Sequence, residues 1–180
     1  MVSLLKRATT KTLFVTVGTT RFDELVEAVT TIQSLQWMDK EGFTHLIIQH
    51  GAGSEPIYPP DKTFSVQVES YDFRPSLKQD MERADLVLSH AGAGTVMEAL
   101  SLQKKLVVVI NTRLMDNHQT ELASAMAKRN HLFVVNNPQE LSSSKVWDQF
   151  LSFSPVPHSR GDPMEFPRLL DDTLGFSKAN

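Results

Sequence analysis

The chain has 180 residues, of which 41% are hydrophobic and 22% charged, and a formal net charge of −3. That length fits about one domain with a core that needs no disulfide or metal staple. The negative balance argues against a nucleic-acid-binding surface, and the absence of cysteine removes thiolate and disulfide chemistry.

The N-terminal stretch MVSLLKRATTKT has too short an apolar run for a signal peptide. No later run approaches the roughly 18–20 apolar residues of a spanning helix. The expectation is therefore a soluble intracellular protein without direct membrane insertion. Residues 12–17 (TLFVTV), closed by Gly18-Thr19-Thr20, predict the first strand. Phe22, Leu25, Val26, Val29, Ile32 and Leu35 then recur at three and four residues, predicting one amphipathic helix over 21–37. Further strands are predicted at 44–49, 64–69, 85–89, 106–110 and 132–135, with helices near 75–83, 95–103 and 117–130. The run 106–110 (LVVVI) is apolar throughout and 85–89 (DLVLS) through its centre, as in strands buried on both faces. Another helix is predicted over 138–151, then an extended segment around Pro155 and Pro157 and a short amphipathic piece at 166–174. The fold class is α/β with an open, mostly parallel sheet over 11–151. Residues 152–180 read as a linker and a C-terminal helix that docks on this domain or on a partner.

The stretch 89–98, SHAGAGTVME, follows a buried strand and precedes a helix. In open parallel sheets that is where ligands sit. Gly92 and Gly94 leave room for a ligand to touch the backbone, and the free N–H groups of the first helical turn would face an anion. The loop lacks the Gly-Lys-Ser/Thr ending of a P-loop, and Met97 stands where the dinucleotide fingerprint needs a third glycine. A plain reading stands beside the functional one: Thr95 and Glu98 have capping-box spacing and would then only finish a helix end. The turn Val17-Gly18-Thr19-Thr20 is a second small, polar loop on the same sheet edge. Its plain reading is a glycine turn with a threonine helix cap.

A third cluster, residues 111–119 (NTRLMDNHQ), follows strand 106–110. Asp116 is placed to cap the next helix. Asn117, His118 and Gln119 carry amide and imidazole groups suited to sugar hydroxyls and an acetamido group, or else form a solvated helix start. His50, His90, His118 and Asp116 have no metal-ligand spacing, so no metal is expected.

Together, VTVGTT, DLVLSHAGAGTVMEAL and LVVVINTRLMDNHQTELA resemble the sugar-nucleotide-binding half of GT-B glycosyltransferases. More narrowly, the chain resembles the small catalytic subunits of the UDP-N-acetylglucosamine transferases that make dolichol-linked chitobiose, in glycosyltransferase family 28. The resemblance covers about residues 12–135. It implies a single Rossmann-like domain, the C-terminal half of a GT-B enzyme. It also implies UDP-GlcNAc as donor, GlcNAc-diphosphate-dolichol as acceptor, inversion at the anomeric centre, and neither cofactor nor metal. Gly92, Ala93, Gly94 and Thr95 would face the diphosphate, and His90 in the same loop is a further substrate-binding candidate. Glu98 would accept from the ribose hydroxyls, and Phe73 and Arg74 would lie near the uracil. Asn117, His118 and Gln119 would hold the GlcNAc, and Gly18 and Thr19 would flank the reacting centre.

A GT-B enzyme needs a second domain for the acceptor. In the family a membrane-anchored subunit supplies it and recruits this one to the cytosolic face of the endoplasmic reticulum. The family's partner-binding helix corresponds to residues 163–176, where Phe166, Leu169, Leu170 and Leu174 are the candidate contacts. One departure is His50-Gly51-Ala52-Gly53-Ser54, which stands in place of a glycine-arginine-glycine loop. No general base is assigned; His50 and His118 are the candidates in this chain, and the partner is the other source. Two further readings use the same crevice: an exopolysaccharide glycosyltransferase subunit of bacterial type, and a module that binds UDP-sugars without transfer.

Overall fold

The computed structural model describes residues 10–60, 63–111 and 117–158, and for 117–120 the backbone only. Six parallel strands form one sheet in the order β3-β2-β1-β4-β5-β6. They are β1 (Thr12–Thr16), β2 (His45–Gln49), β3 (Gln67–Tyr71), β4 (Leu86–His90), β5 (Leu106–Val109) and β6 (Phe133–Val135). The helices are α1 (Asp23–Val29), α2 (Ile32–Lys40), α3 (Lys78–Arg83), α4 (Ala93–Ser101), α5 (Asn117–Lys128) and α6 (Ser144–Ser152). The α/β class and the parallel sheet are as the sequence leads one to expect.

Alternation along the strands divides the core in two. Leu13, Val15, Leu46, Ile48, Leu86 and Leu88 pack on one face with α1, α2 and α6. Phe14, Ile47, Val87, Leu106 and Val108 pack on the other with residues of α3, α4 and α5. This is why the central runs of β1, β2, β4 and β5 (Leu13–Val15, Leu46–Ile48, Leu86–Leu88 and Leu106–Val109) are apolar at consecutive positions rather than every second one. On the first face Trp147 stacks on Trp37 with ring centroids 4.9 Å apart, and its indole N–H donates to the Leu141 carbonyl.

Three local expectations are corrected. The helix predicted over 21–37 is two helices, because Thr30 and Thr31 interrupt it. Thr30 returns its hydroxyl to the Val26 carbonyl, and Thr31 caps α2 by accepting from the Ser34 amide. Such side chain–backbone bonds compete with a continuing helix. The apolar spacing ran across the break, yet Ile32 is 38% exposed. The helix over 138–151 is likewise a 3₁₀ turn, Pro138–Ser142, followed by α6. Strand β3 begins at Gln67, three residues later than predicted.

Residues 153–158 run extended along the domain. The Val156 amide donates to the Asn130 carbonyl, and the Gln103 side chain donates to the His158 carbonyl. The C-terminal candidates Phe166, Leu169, Leu170 and Leu174 lie outside the described residues, as do residues 112–116 with Asp116.

Candidate functional site

The strand order reverses between β1 and β4, which opens a crevice beyond their carboxyl ends. The last rung of this part of the sheet is polar and buried: Thr16 lies opposite Gln49 of β2 on one side and Ser89 of β4 on the other. Above it is a cleft of about 390 Å³. Gly18 and Thr19 come from the turn after β1, and Phe73, Arg74 and Leu77 from the segment between β3 and α3. His90, Gly92, Ala93, Gly94, Thr95 and Glu98 come from the end of β4 and the start of α4, and Gln49 lies at the base.

The start of α4 differs from its expected form. The helix begins at Ala93, two residues early, with Gly92 as its N-cap and no side chain bonded to the cap. Thr95 is therefore the third helical residue and not the cap, so Thr95 and Glu98 form no capping box. The capping reading of Glu98 fails because an extra half-turn of helix lies in front of it. Its carboxylate makes no hydrogen bond or ion pair with a described residue and lines the cleft instead. The amides of Ala93, Gly94 and Thr95 precede the first intrahelical bond, which runs from the Val96 amide to the Gly92 carbonyl. An uncapped nine-residue helix thus directs its N-terminus and the positive end of its dipole at the cleft.

Three glycines line this cleft for different reasons. Gly18 has φ +62°, in the left-handed region, and a Cβ there would lie 2.7 Å from Cε1 of His90. A Cβ on Gly92 would also collide with the His90 ring. Both glycines therefore make room for the imidazole. A Cβ on Gly94 would meet nothing within 4 Å among the described residues, so their packing gives no reason for glycine there.

His90 is 5% exposed, and its buried Nδ1 has no hydrogen-bond partner among the described residues. Burial pushes its pKa below the ordinary value of 6.5, with the Thr16 carbonyl opposing in part. The ring is thus neutral at physiological pH and offers the cleft hydrogen bonding without charge.

On the opposite wall, Asp80 accepts from Nη1 of Arg74 at 3.0 Å and from the Tyr71 hydroxyl at 2.6 Å. The Arg74 guanidinium lies 3.7 Å from the centroid of the Tyr71 ring. Burial first, and then the bond to Asp80, push the Tyr71 hydroxyl far above its usual pKa, so it stays a donor. Arg74 is held from behind while its exposed part faces the cleft beside Phe73, which is 53% exposed.

The cleft thus gathers every residue proposed from the loops at 18–19, 73–74 and 90–98. Gln49 and Leu77 also line it and were not among the candidates. Gln49 left a signal: it is a single amide closing the apolar run Leu46-Ile47-Ile48. His50 does not line the cleft. The loop it opens packs against the first turn, with Gly51 (φ +58°) so close that a Cβ would lie 2.6 Å from the carbonyl oxygens of both Gly18 and Thr20. Thr20 is not a helix cap; its hydroxyl donates to the Val17 carbonyl, and Phe22 is the N-cap of α1. Asn117, His118 and Gln119 open α5, and their side chains lie outside the description. Among the described residues no three His, Asp or Glu side chains gather as metal ligands, and no helix is long and apolar enough to cross a membrane.

A family model for the glycosyltransferase family 28 C-terminal domain matches residues 12–147. The chain is 48% identical over 123 residues to the UDP-N-acetylglucosamine transferase subunit ALG13 of Mus musculus, covering 68% of this chain and 10% of that protein. It is 33% identical over 170 residues to the protein of the same name from Yarrowia lipolytica, covering 91% of this chain and 84% of the relative. The chain therefore spans about a tenth of the mouse relative's length but most of the yeast one. The solution NMR structure of ALG13 superposes with a TM-score of 0.66 at 26% identity, covering 89% of this chain and 95% of that one. The crystal structure of Acinetobacter baumannii MurG shares the fold, with a TM-score of 0.64 at 15% identity over 92% of this chain and 50% of that one. From the matched domain and the near full-length yeast relative, this chain belongs to the glycosyltransferase family 28 C-terminal domain family.

Proposed function

We propose that the chain is the donor-binding, catalytic subunit of a UDP-N-acetylglucosamine transferase. In this reading it moves GlcNAc from UDP-GlcNAc to GlcNAc-diphosphate-dolichol with inversion at the anomeric carbon. The observation that carries it is the start of α4: an uncapped helix N-terminus and a buried imidazole, its Nδ1 without a partner among the described residues, meet in one cleft. Both suit a diphosphate. The names of the relatives supply the sugar nucleotide.

The chemistry follows from where charge develops. As the bond from GlcNAc C1 to the UDP oxygen breaks, negative charge accumulates on the leaving diphosphate. The amides of Ala93, Gly94 and Thr95 are preorganised to receive it, so they gain strength in the transition state. Glu98, free of any capping duty, accepts from the ribose hydroxyls. Phe73 and Arg74 border the uracil, and Gly18 and Thr19 border the reacting carbon. Asn117, His118 and Gln119 hold the GlcNAc. The acceptor hydroxyl that attacks C1 gives its proton to a base, taken from the partner or from His50 or His118. In this reading the chain works in a heterodimer or larger complex whose membrane-anchored subunit brings the acceptor. Phe166, Leu169, Leu170 and Leu174 contact that subunit, at the cytosolic face of the endoplasmic reticulum.

The test is co-expression with candidate membrane-anchored subunits and assay on a lipid-diphosphate GlcNAc acceptor with UDP-GlcNAc, UDP-Glc and UDP-Gal. Transfer of GlcNAc in preference to the other sugars is expected. Preference for another sugar would instead point to an exopolysaccharide transferase subunit. Binding of UDP-GlcNAc without transfer, with the partner present, would make the chain a sensing module.

A further inference from the structure

Gln49, at the base of the cleft, bonds to the framework on both of its sides. It is the last residue of β2, is 1% exposed, and lies between Thr16 of β1 and Tyr71 of β3 in the sheet register. Its Oε1 accepts from the Thr16 hydroxyl at 2.6 Å and from the Gly18 amide at 2.9 Å. Its Nε2 donates to the Gly18 carbonyl at 2.8 Å and to the Asp72 carbonyl at 2.7 Å. Two acceptances and two donations fill the capacity the amide uses in a buried site. The amide orientation follows from the same bonds, since a flip would set NH₂ against an N–H and oxygen against two carbonyls.

These bonds join the two walls of the cleft. Gly18 is gripped at both its N–H and its C=O, which holds the left-handed turn after β1 in place. Asp72 begins the opposite segment, where its carboxylate accepts from the amide of Phe73, the residue before Arg74. We propose that Gln49 is a positioning residue that sets the distance and register between the Gly18-Thr19 wall and the Phe73-Arg74 wall. It thereby fixes the span into which a nucleoside diphosphate fits. This rests on the sugar-nucleotide reading above. With its polar atoms already used, Gln49 acts through the loops and not by touching the ligand. Glutamate is no substitute: it would turn an acceptor toward the carbonyls of Gly18 and Asp72, where two donors stand.

The experiment titrates UDP into the full chain, wild type and the variants Gln49→Glu and Gln49→Met, following backbone amides by heteronuclear NMR. Circular dichroism sets a temperature at which each variant is folded. Methionine keeps the length of the side chain and removes every bond without adding charge, so it serves if the glutamate variant does not fold. The expected result is a UDP dissociation constant raised about tenfold or more, the scale of small misplacements in a preorganised site. Gly18 and Phe73 amide signals should also be displaced together before any UDP is added. A purely structural role would lower the melting temperature and leave the affinity of the folded protein unchanged. A folded variant that binds UDP within about twofold of wild type overturns the positioning role alone. A wild-type chain that binds no UDP overturns the sugar-nucleotide reading, and this inference with it.

Discussion

The imidazole of His90 occupies the volume that a side chain at Gly18 would need, since a Cβ there would lie 2.7 Å from Cε1. Gly92 yields to the same ring, where a Cβ would collide with Nε2 and Cε1. One buried histidine therefore accounts for two of the glycines that mark the cleft in the sequence. Gly18→Ala and Gly92→Ala should each destabilise the fold by about 1–3 kcal/mol, the usual cost of overpacking. Part of that loss should return for Gly92→Ala when His90 is also replaced by alanine, because the collision is gone. Gly18→Ala should recover less, because its left-handed backbone still disfavours a side chain. Urea denaturation of the double-mutant cycle measures both.

Gly94 behaves differently because a Cβ there meets open space. Gly94→Ala places a better helix former in the first turn of α4 and should raise stability by as much as about 0.5–1 kcal/mol. The same methyl would stand where a diphosphate approaches the backbone, so affinity for UDP-GlcNAc should fall. Opposite movement of melting temperature and affinity is the expected signature. Unchanged affinity would remove Gly94 from the ligand site.

For Glu98 the structure separates two readings that the sequence left entangled. It is the sixth residue of α4 and caps nothing. Glu98→Gln should leave the melting temperature within about 1 °C of wild type, because no cap or ion pair is lost. Donor affinity should drop about tenfold, as expected when a charged acceptor of hydroxyl hydrogen bonds is lost. Calorimetry with UDP-GlcNAc checks the second effect.

His90 also makes a pH prediction. Burial holds its folded-state pKa below the ordinary 6.5, so below that pH the unfolded chain takes up a proton that the native state resists. Stability from this group is complete above about pH 6.5 and is lost as pH falls toward the folded value. Urea midpoints of wild type and His90→Asn between about pH 5 and 8 should show a steeper acid-side decline in wild type. Parallel profiles would mean that His90 is not held neutral.

Much of this site is legible in the sequence because its parts are local. Gly18 and Thr19, Phe73 and Arg74, and His90 to Glu98 each follow a recognisable strand, and a parallel sheet sends all such turns to one edge. Helix phase is less legible. Apolar spacing ran on through Thr30 and Thr31, although their hydroxyls had a stronger local use. At α4 the Thr-x-x-Glu spacing pointed to a cap at Thr95, but Gly92 adopts the extended conformation and starts the helix earlier. Small residues permit several starting points, and packing chooses among them.

By itself the sequence determined the α/β class, the parallel sheet and the loops that carry the chemistry, because strand hydrophobicity and turn residues are set by neighbours along the chain. The tertiary structure decided what those loops face. It set Gly18 and Gly92 around His90, freed Glu98 from capping, and pinned opposite walls of the cleft to Gln49. The bonds of Gln49 to Gly18 and Asp72, and the packing of His90 on Gly18, join residues 23 to 72 positions apart, and only the folded parallel sheet brings such partners together.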